Sequence, residues 1–244
     1  MRRRTLNIKT IIFNRVAAPC ATFSGWFLLL AVLMSLLLLA GCLEGTKEEG
    51  DKEPKYFSDL NPIDPQPAES AIQPGLKVWY FDDFQFTHVD QMPKGDPPFS
   101  FGFAGKPVLI LDKKYKIKEN FLDSGMHRLF GAQFDGMIKF PKPGEYILVA
   151  NANDGIRVWV GEKVVIDDPF WHATGDEYTP EAHITISARK ANIAISTPGW
   201  YRFKIKYFQK KGTATLQMFW KKPGDKEFSF IPAEAYGHTK DTPD

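Results

Sequence analysis

The stretch FDGMIKFPKPGEYILVANANDGIRVWVGEKVVID, residues 134–167, decides the fold class. It consists of short runs in which apolar residues tend to alternate with polar ones. Turn-forming residues separate the runs, with Pro143-Gly144, Asn153-Asp154-Gly155 and Gly161-Glu162 at the breaks. Alternation with a period of two, punctuated by Gly and Pro, is typical of half-buried antiparallel strands. The stretch therefore predicts a series of strands joined by tight turns.

The same pattern continues on both sides of this stretch. Alternating or apolar runs occur at residues 77–81, 201–207 and 216–220, and no long segment of helical period follows Gly75. Many short strands with turns between them predict a sandwich or barrel. We predict an all-β fold, an antiparallel β-sandwich of jelly-roll-like type, over residues 75–236, followed by a C-terminal tail at residues 237–244.

The N-terminal end has a different character. A basic cluster at residues 2–4 is followed by an apolar run from Trp26 to Ala40, and then by Gly41 and Cys42. A positive segment, an apolar core and small residues at the end are typical of an export signal. The order Leu39-Ala40-Gly41-Cys42 resembles the bacterial lipobox. That resemblance implies a signal peptide at residues 1–41 and a lipid, such as palmitate, on Cys42. The alternative is an uncleaved anchor, although the run of about 15 residues is shorter than the roughly 20 needed to span a bilayer.

Cleavage at this point changes the cysteine count and the charge. The chain has two cysteines, Cys20 and Cys42, so the mature chain would keep one and could form no internal disulfide. The first 41 residues carry five of the 31 basic residues and no acidic one. The remainder, with 29 acidic residues, therefore has a net charge of −3. No basic binding stripe is left, so we expect no nucleic-acid partner.

Residues 42–74 are polar, acidic and rich in proline, with few large apolar side chains. Such a segment cannot bury a core of its own. We predict a disordered tether that spaces the folded part from the lipid. The residue after the lipidated cysteine is Leu43. An Asp at that position would favour retention of a lipoprotein in the inner membrane. Leu43 therefore favours a cell-envelope location in the outer membrane.

The ordered motifs of the C-terminal half resemble a known family. Four motifs occur in the order of the protective-antigen-type domain (PA-14). They are Gly144 with Tyr146, the turn Asn153-Asp154-Gly155, the end of a strand at Ile166-Asp167, and a last strand ending at Trp220. The resemblance implies a β-sandwich and carbohydrate binding of the kind known in adhesins of this family. There, two adjacent Asp residues joined by a cis peptide hold a calcium ion that binds sugar hydroxyls. Asn153 and Asp154 occupy the matching positions, and the first Asp is replaced.

Each candidate site residue also has a plainer interpretation. Asn153 and Asp154 are predicted to bind calcium and ligand, because both supply the oxygen atoms that calcium prefers, but Asn-Asp-Gly alone is also good turn chemistry. Asp167 is predicted to add a metal ligand, and with Asp168 it could equally be a charged strand end.

The segment from Pro169 to Pro180 is rich in aromatic and acidic residues. Trp171 and Asp176 within it are predicted to contact ligand, since aromatic rings stack on sugars and carboxylates bind hydroxyls. The alternative is that Phe170 or Trp171 closes the end of the sandwich as a core residue. Six lysines, at positions 204, 206, 210, 211, 221 and 222, are expected to form a solvated face.

The chain has no catalytic signature, including no Gly-x-Ser-x-Gly and no His-Glu-x-x-His. We therefore expect no enzyme activity. The sequence predicts a lipoprotein held in the membrane through Cys42, with a non-catalytic domain that recognises a carbohydrate, with calcium assisting, or a cell-envelope protein. The alternative is a structural or assembly subunit of an envelope complex that binds no glycan.

Overall fold

The alternating runs form strands in the computed structural model, which describes residues 55–82, 85–171 and 189–242. The strands are β1 Lys55–Phe57, β2 Gln73–Pro74, β3 Lys77–Phe81, β4 Phe103–Ala104, β5 Asp112–Lys114, β6 Phe130–Phe140, β7 Gly144–Asn153, β8 Ile156–Val160, β9 Lys163–Asp168, β10 Lys190–Ile195, β11 Gly199–Gln209, β12 Thr215–Lys221, β13 Ser229–Phe230 and β14 Tyr236–His238. Short 3-10 turns lie at Glu69–Ala71, Val89–Gln91 and Ala233–Ala235.

The strands lie in two sheets. The first sheet has the order β1-β10-β7-β12-β13, and β5 also pairs with β12. The second has the order β2-β14-β6-β11-β8-β9, and β3 joins it by pairing with β6 and with β4. Among the described residues, the β1–β10 pair is parallel and the other strand pairs are antiparallel. The predicted antiparallel β-sandwich is confirmed.

The core lies between the two sheets and follows the period of the sequence. Every second residue of β11 and β12 is buried in one continuous apolar cluster, namely Tyr201, Phe203, Ile205, Tyr207, Leu216, Met218 and Trp220. Residues of β6 with the same spacing complete this layer, among them Phe134, Ile138 and Phe140. Each such side chain contributes about 1.5–3 kcal/mol by leaving water. The register of the strand pairing is therefore fixed, because a shift by one residue would turn these side chains toward solvent.

The outer face of the second sheet is covered in part by the segment that follows β3. Phe86, Val89 and Met92 from this segment pack with Phe208 of β11 and with rings of β3 in a second apolar cluster. Residues 90–96 of the same segment contact outward-facing polar side chains of β6, β8 and β11.

Residues 55–74 differ from the predicted disordered tether, because they pack on the sandwich. β1 pairs with β10, Leu60 is buried in the main core, and the Ile63 backbone N–H donates to the Trp200 carbonyl at 2.9 Å. Without β1, the edge of β10 would leave backbone N–H and C=O groups unpaired. The few apolar residues of this segment can pack against a core that the sandwich already provides. At the other end, β14 extends the fold to His238, within the predicted tail.

The signal peptide, Cys42 and residues 43–54 of the tether lie outside the described residues. Within the described ranges, no helix has the length and apolar character required to cross a membrane.

Candidate functional site

The turn between β7 and β8 places two of the predicted site residues side by side. β7 ends at Asn153 and β8 begins at Ile156. The Asn153–Asp154 peptide bond is cis, which is the geometry that the family resemblance implies. Asn153 is 8% exposed and Asp154 is 2% exposed. Both side chains are therefore held within the end of the sandwich and not displayed on a free loop.

The end of β11 fixes this turn from the neighbouring strand. The Asp154 backbone N–H donates to the Phe208 carbonyl at 3.1 Å, and the Phe208 N–H donates to the Gly155 carbonyl at 3.1 Å. The Lys210 backbone N–H donates to Asp154 Oδ2 at 2.7 Å. Asp154 thus holds a residue 56 positions away, which a simple reverse turn does not require.

Asn153 is held at both its backbone and its side chain. Its Nδ2 donates to the Thr213 carbonyl at 3.0 Å, so its amide oxygen is directed away from that bond. The Tyr207 hydroxyl donates to the Asn153 carbonyl at 2.5 Å and lies 3.2 Å from Gln209 Oε1. Burial, and secondarily the charge of Asp154, raises the pKa of Tyr207 well above its usual value. The hydroxyl therefore keeps its proton and its role as donor.

Gly155 is required by close packing. A Cβ at this position would lie 2.3 Å from the ring of Phe208 and 2.9 Å from the carbonyl oxygen of Phe170. Contacts below 3 Å are not tolerated, so any side chain would displace the turn from β11. The sequence Asn-Asp-Gly is thus explained by its tertiary contacts as well as by turn chemistry.

Two exposed aromatic residues lie beside the turn. Phe170 is 61% exposed and Trp171 is 46% exposed, so neither closes the sandwich end as a core residue. The Trp171 backbone N–H donates to the Thr87 carbonyl at 3.2 Å, and Phe170 packs edge-on against His88 with centroids 4.6 Å apart. The ammonium group of Lys210 lies 4.7 Å from the centroid of the Trp171 ring. Lys210 therefore joins Asp154, through its backbone, to Trp171, through its side chain.

The other predicted site residues lie elsewhere. Asp167 pairs with Arg157 Nε at 2.6 Å, and Arg157 also pairs with Asp90 at 2.5 Å. The carboxylate of Asp167 is thus engaged in an ion-pair network on the second sheet. Asp168 forms a buried ion pair with Arg189. Asp176 lies outside the described residues.

The donor set at the turn has the right chemistry for calcium but few protein ligands. The Asn153 amide oxygen and the Asp154 carboxylate are hard oxygen donors, and calcium takes six to eight such ligands. In the part of the chain that the structure describes, no group of three or more His, Cys, Asp or Glu residues is arranged to hold a metal ion. A bound calcium ion would take its further oxygens from backbone carbonyls, water or ligand hydroxyls.

Comparison with known proteins identifies the fold. A family model described as the PA14 domain matches residues 73–233. This chain belongs to the PA14 domain family. The predicted protective-antigen-type domain is thereby confirmed. No curated protein sequence matches the chain.

Solved structures resemble this PA14 domain at low sequence identity. The PA14 domain of the antifreeze protein MpAFP has 15% identity and a TM-score of 0.53, with 75% of this chain and 99% of that chain covered. An anti-sigma factor domain-containing protein has 16% identity and a TM-score of 0.51, with coverage of 69% and 50%. This chain thus spans about half of that protein's length. The Epithelial Adhesin 9 A domain from Candida glabrata, in complex with Galb1-3GlcNAc, has 13% identity and a TM-score of 0.49, with coverage of 76% and 97%.

Sequence reasoning missed the residues that organise the turn. Lys210, which the sequence predicts to lie in a solvated lysine face, instead binds Asp154 through its amide and covers Trp171 with its ammonium group. Tyr207 falls within the alternating run at residues 201–207, and the alternation does not distinguish it from the other residues of that run. The sequence offered a weak signal for Tyr207 alone, because a buried tyrosine hydroxyl needs a hydrogen-bond partner.

Proposed function

We propose that this protein is a lipid-anchored envelope protein whose PA14 domain binds carbohydrate without catalysing a reaction. The binding site would be the sandwich end formed by Asn153, Asp154, Lys210 and Trp171, called here the turn site. The observation that carries the proposal is the connection of Asp154 to the exposed Trp171 through Lys210. It puts an aromatic face, an ammonium donor and side-chain oxygens at one end of the fold.

These groups suit a saccharide. The face of Trp171 offers an apolar surface for the C–H side of a sugar ring, and Lys210 offers a donor for hydroxyl oxygens. Carbohydrate sites combine such a flat aromatic surface with a few polar groups that fix orientation. The polar groups are pre-positioned here, because Asp154 and Asn153 are held by hydrogen bonds to residues 207–213.

Calcium is proposed to assist binding at the turn site. Asn153 and Asp154 would hold the ion, which when bound would attract sugar hydroxyl oxygens. The neutral Asn153 in place of a carboxylate lowers the negative charge of the donor set. We therefore expect weaker calcium affinity than in relatives with two Asp residues.

The anchor is proposed to be a lipid on Cys42, placing the domain at the outer membrane. The lipobox-like order at residues 39–42 supports this. Mass spectrometry of the mature N-terminus is expected to show an acylated Cys42, and Cys42→Ser is expected to move the protein from the membrane fraction to the soluble fraction. An unmodified N-terminus, with unchanged fractionation of the variant, would show that the anchor is not this lipid.

A glycan array tests the binding function. The domain from residue 55 onward, applied with and without calcium, is expected to bind a subset of glycans. Trp171→Ala and Asp154→Ala should each reduce that binding at least tenfold. Phe230→Ala is the matched control, because Phe230 is also exposed, at 39%, but lies far from the turn site. Phe230 pairs with Phe219 near one end of β12, whereas Thr215 at the other end pairs with Asn153. If no glycan binds under either condition, the carbohydrate-binding proposal is wrong and a structural role becomes the better account.

A further inference from the structure

A groove of about 820 Å³ crosses the outer face of the second sheet. This sheet groove is separate from the turn site, since neither the residues of the β7–β8 turn nor Trp171 line it. Its floor comes from the three adjacent strands β6, β11 and β8. Lys204 of β11 lies in register between Asp135 of β6 and Trp159 of β8, and Arg202 pairs with Met137.

One wall of the groove is fixed in place by ion pairs and hydrogen bonds. Residues 90–96 form this wall, and three cations of the floor hold it. Arg157 pairs with Asp90 at 2.5 Å, Lys204 pairs with Asp96, and Lys206 Nζ donates to the Pro93 carbonyl at 2.6 Å. The groove is therefore preformed, and its volume lies within the range of about 300–1,000 Å³ that small ligands occupy.

The opposite wall comes from the two chain segments that flank the predicted sandwich. Ile63 and Pro67 precede the sandwich, and Thr239, Asp241 and Thr242 follow it. The groove thus lies between separate parts of the chain, and its lining from residues 63–67, 90–96 and 239–242 leaves room for several residues of an extended polymer.

The groups that line the groove without an ionic partner carry both signs of charge. Within the described residues, Arg202 and Lys94 make no ion pair, and neither do Glu162 and Asp241. All four are exposed. A polyanion would be repelled by the two carboxylates, and a polycation would be repelled by the two cations. A polyhydroxylated, uncharged chain can donate to the carboxylates and accept from the cations, since each hydroxyl does both.

Trp159 supplies the aromatic surface that such a chain needs. It lies half-buried in the groove floor, with the Arg157 guanidinium 5.8 Å from its ring centroid, which holds the side chain in place. We propose that the sheet groove is a second binding site that takes several consecutive residues of an uncharged polysaccharide, with Trp159 as its stacking platform. This site goes beyond the proposed function of the turn site and does not depend on it.

Calorimetric titration with defined oligosaccharides tests the groove. The probes are the neutral hexasaccharides of β1-4 glucose, β1-3 glucose, α1-4 glucose and β1-4 mannose, their disaccharides, and hexagalacturonate as the charged comparison. At least one neutral hexasaccharide is expected to bind, at least tenfold more tightly than its disaccharide and than hexagalacturonate. Binding should be unchanged by calcium chelation and by Asp154→Ala, which separates it from the turn site.

Variants of the groove complete the test. Trp159→Ala is expected to weaken binding of the hexasaccharide at least tenfold. Trp159→Phe keeps an aromatic ring and should retain most of the binding. Retained binding by Trp159→Phe would show that the loss in Trp159→Ala comes from the missing ring and not from misfolding. Trp171→Ala is the matched control and should have no effect. The proposal is overturned if no neutral hexasaccharide binds, if hexagalacturonate binds more tightly, or if binding survives Trp159→Ala.

Discussion

The ammonium group of Lys210 lies 4.7 Å from the centroid of the Trp171 ring, and the backbone N–H of the same lysine donates to Asp154 at 2.7 Å. One residue thus orients an exposed ring relative to a buried carboxylate. The ring and the carboxylate flank the paired strands β8 and β9, since Ile156 pairs with Asp168, and Lys210 adds a bridge between them from the end of β11.

Removing the cation while keeping the backbone bond should loosen the ring. Lys210→Met is expected to weaken glycan binding at the turn site at least two- to fivefold, because the lost cation–π contact alone is worth about 0.5–1 kcal/mol and the donor to sugar hydroxyls is lost as well. Titration calorimetry with the strongest array ligand measures this. Lys221→Met is the control, since Lys221 lies 6.0 Å from the ring of Phe228, outside the turn site. Equal effects of the two variants would contradict a specific role of Lys210.

The hydroxyl of Tyr207 should contribute measurably to stability. Tyr207→Phe is expected to lower the free energy of unfolding by about 1–3 kcal/mol, since it leaves the buried Asn153 carbonyl without this donor. Tyr201→Phe should cost less, because its hydroxyl bonds to the Thr197 carbonyl in a part-buried position. Urea denaturation of both variants compares them. A larger loss at Tyr201 would show that the Asn153 contact is not important for the fold.

The buried pair of Asp168 and Arg189 should be strongly coupled. Arg189 is fully buried and Asp168 is 7% exposed. Asp168→Asn and Arg189→Met are each expected to cost about 3–5 kcal/mol, because either change removes one charge of a buried ion pair. The double variant should cost clearly less than the two losses added together. Additive losses in urea denaturation would indicate that the two side chains act independently.

Lys206 should make stability depend on pH. Burial, with a smaller effect of Lys204, lowers the pKa of Lys206 to about 8. The unfolded chain, with a lysine pKa of about 10.4, then binds more protons between these values, so the free energy of unfolding should rise as pH increases from about 8 toward 10. Above pH 10 the raised pKa values of buried tyrosines such as Tyr80 act in the opposite direction.

Thermal unfolding from pH 7 to pH 9.5 measures this dependence. The wild type should gain stability across this range relative to Lys206→Met, which has no group to titrate. Parallel curves for the two proteins would mean that Lys206 is not desolvated in solution.

The sequence predicted those parts of the structure that depend on local patterns. The period of two in β11 and β12 identified which residues face the core, and Asn153-Asp154-Gly155 identified a turn. The location of Lys206 could not be predicted, because its burial depends on the segment at residues 90–96 crossing the outer face of the sheet. For the same reason, the alternation of β11 suggested a solvated lysine face where the structure has ion pairs and a groove.

The prediction of a disordered tether over residues 42–74 is wrong for residues 55–74, because composition alone does not show whether a segment packs on an existing core. Few apolar residues are needed when a segment adds to an existing core instead of forming one. Leu60 enters the main cluster and Phe57 packs against it, while backbone pairing of β1 with β10 and of β2 with β14 holds the two ends of the segment.

The central claim, that the turn site binds carbohydrate, is tested most directly by a nuclear magnetic resonance titration of the labelled domain with the strongest array ligand in the presence of calcium. We expect saturable shifts of the Lys210 backbone amide, which is bonded to Asp154, and of the Trp171 indole N–H. In the Asp154→Ala variant, adding the ligand should shift neither of the two resonances. Binding with no change at either probe, or with shifts confined to other parts of the sandwich, would contradict the claim.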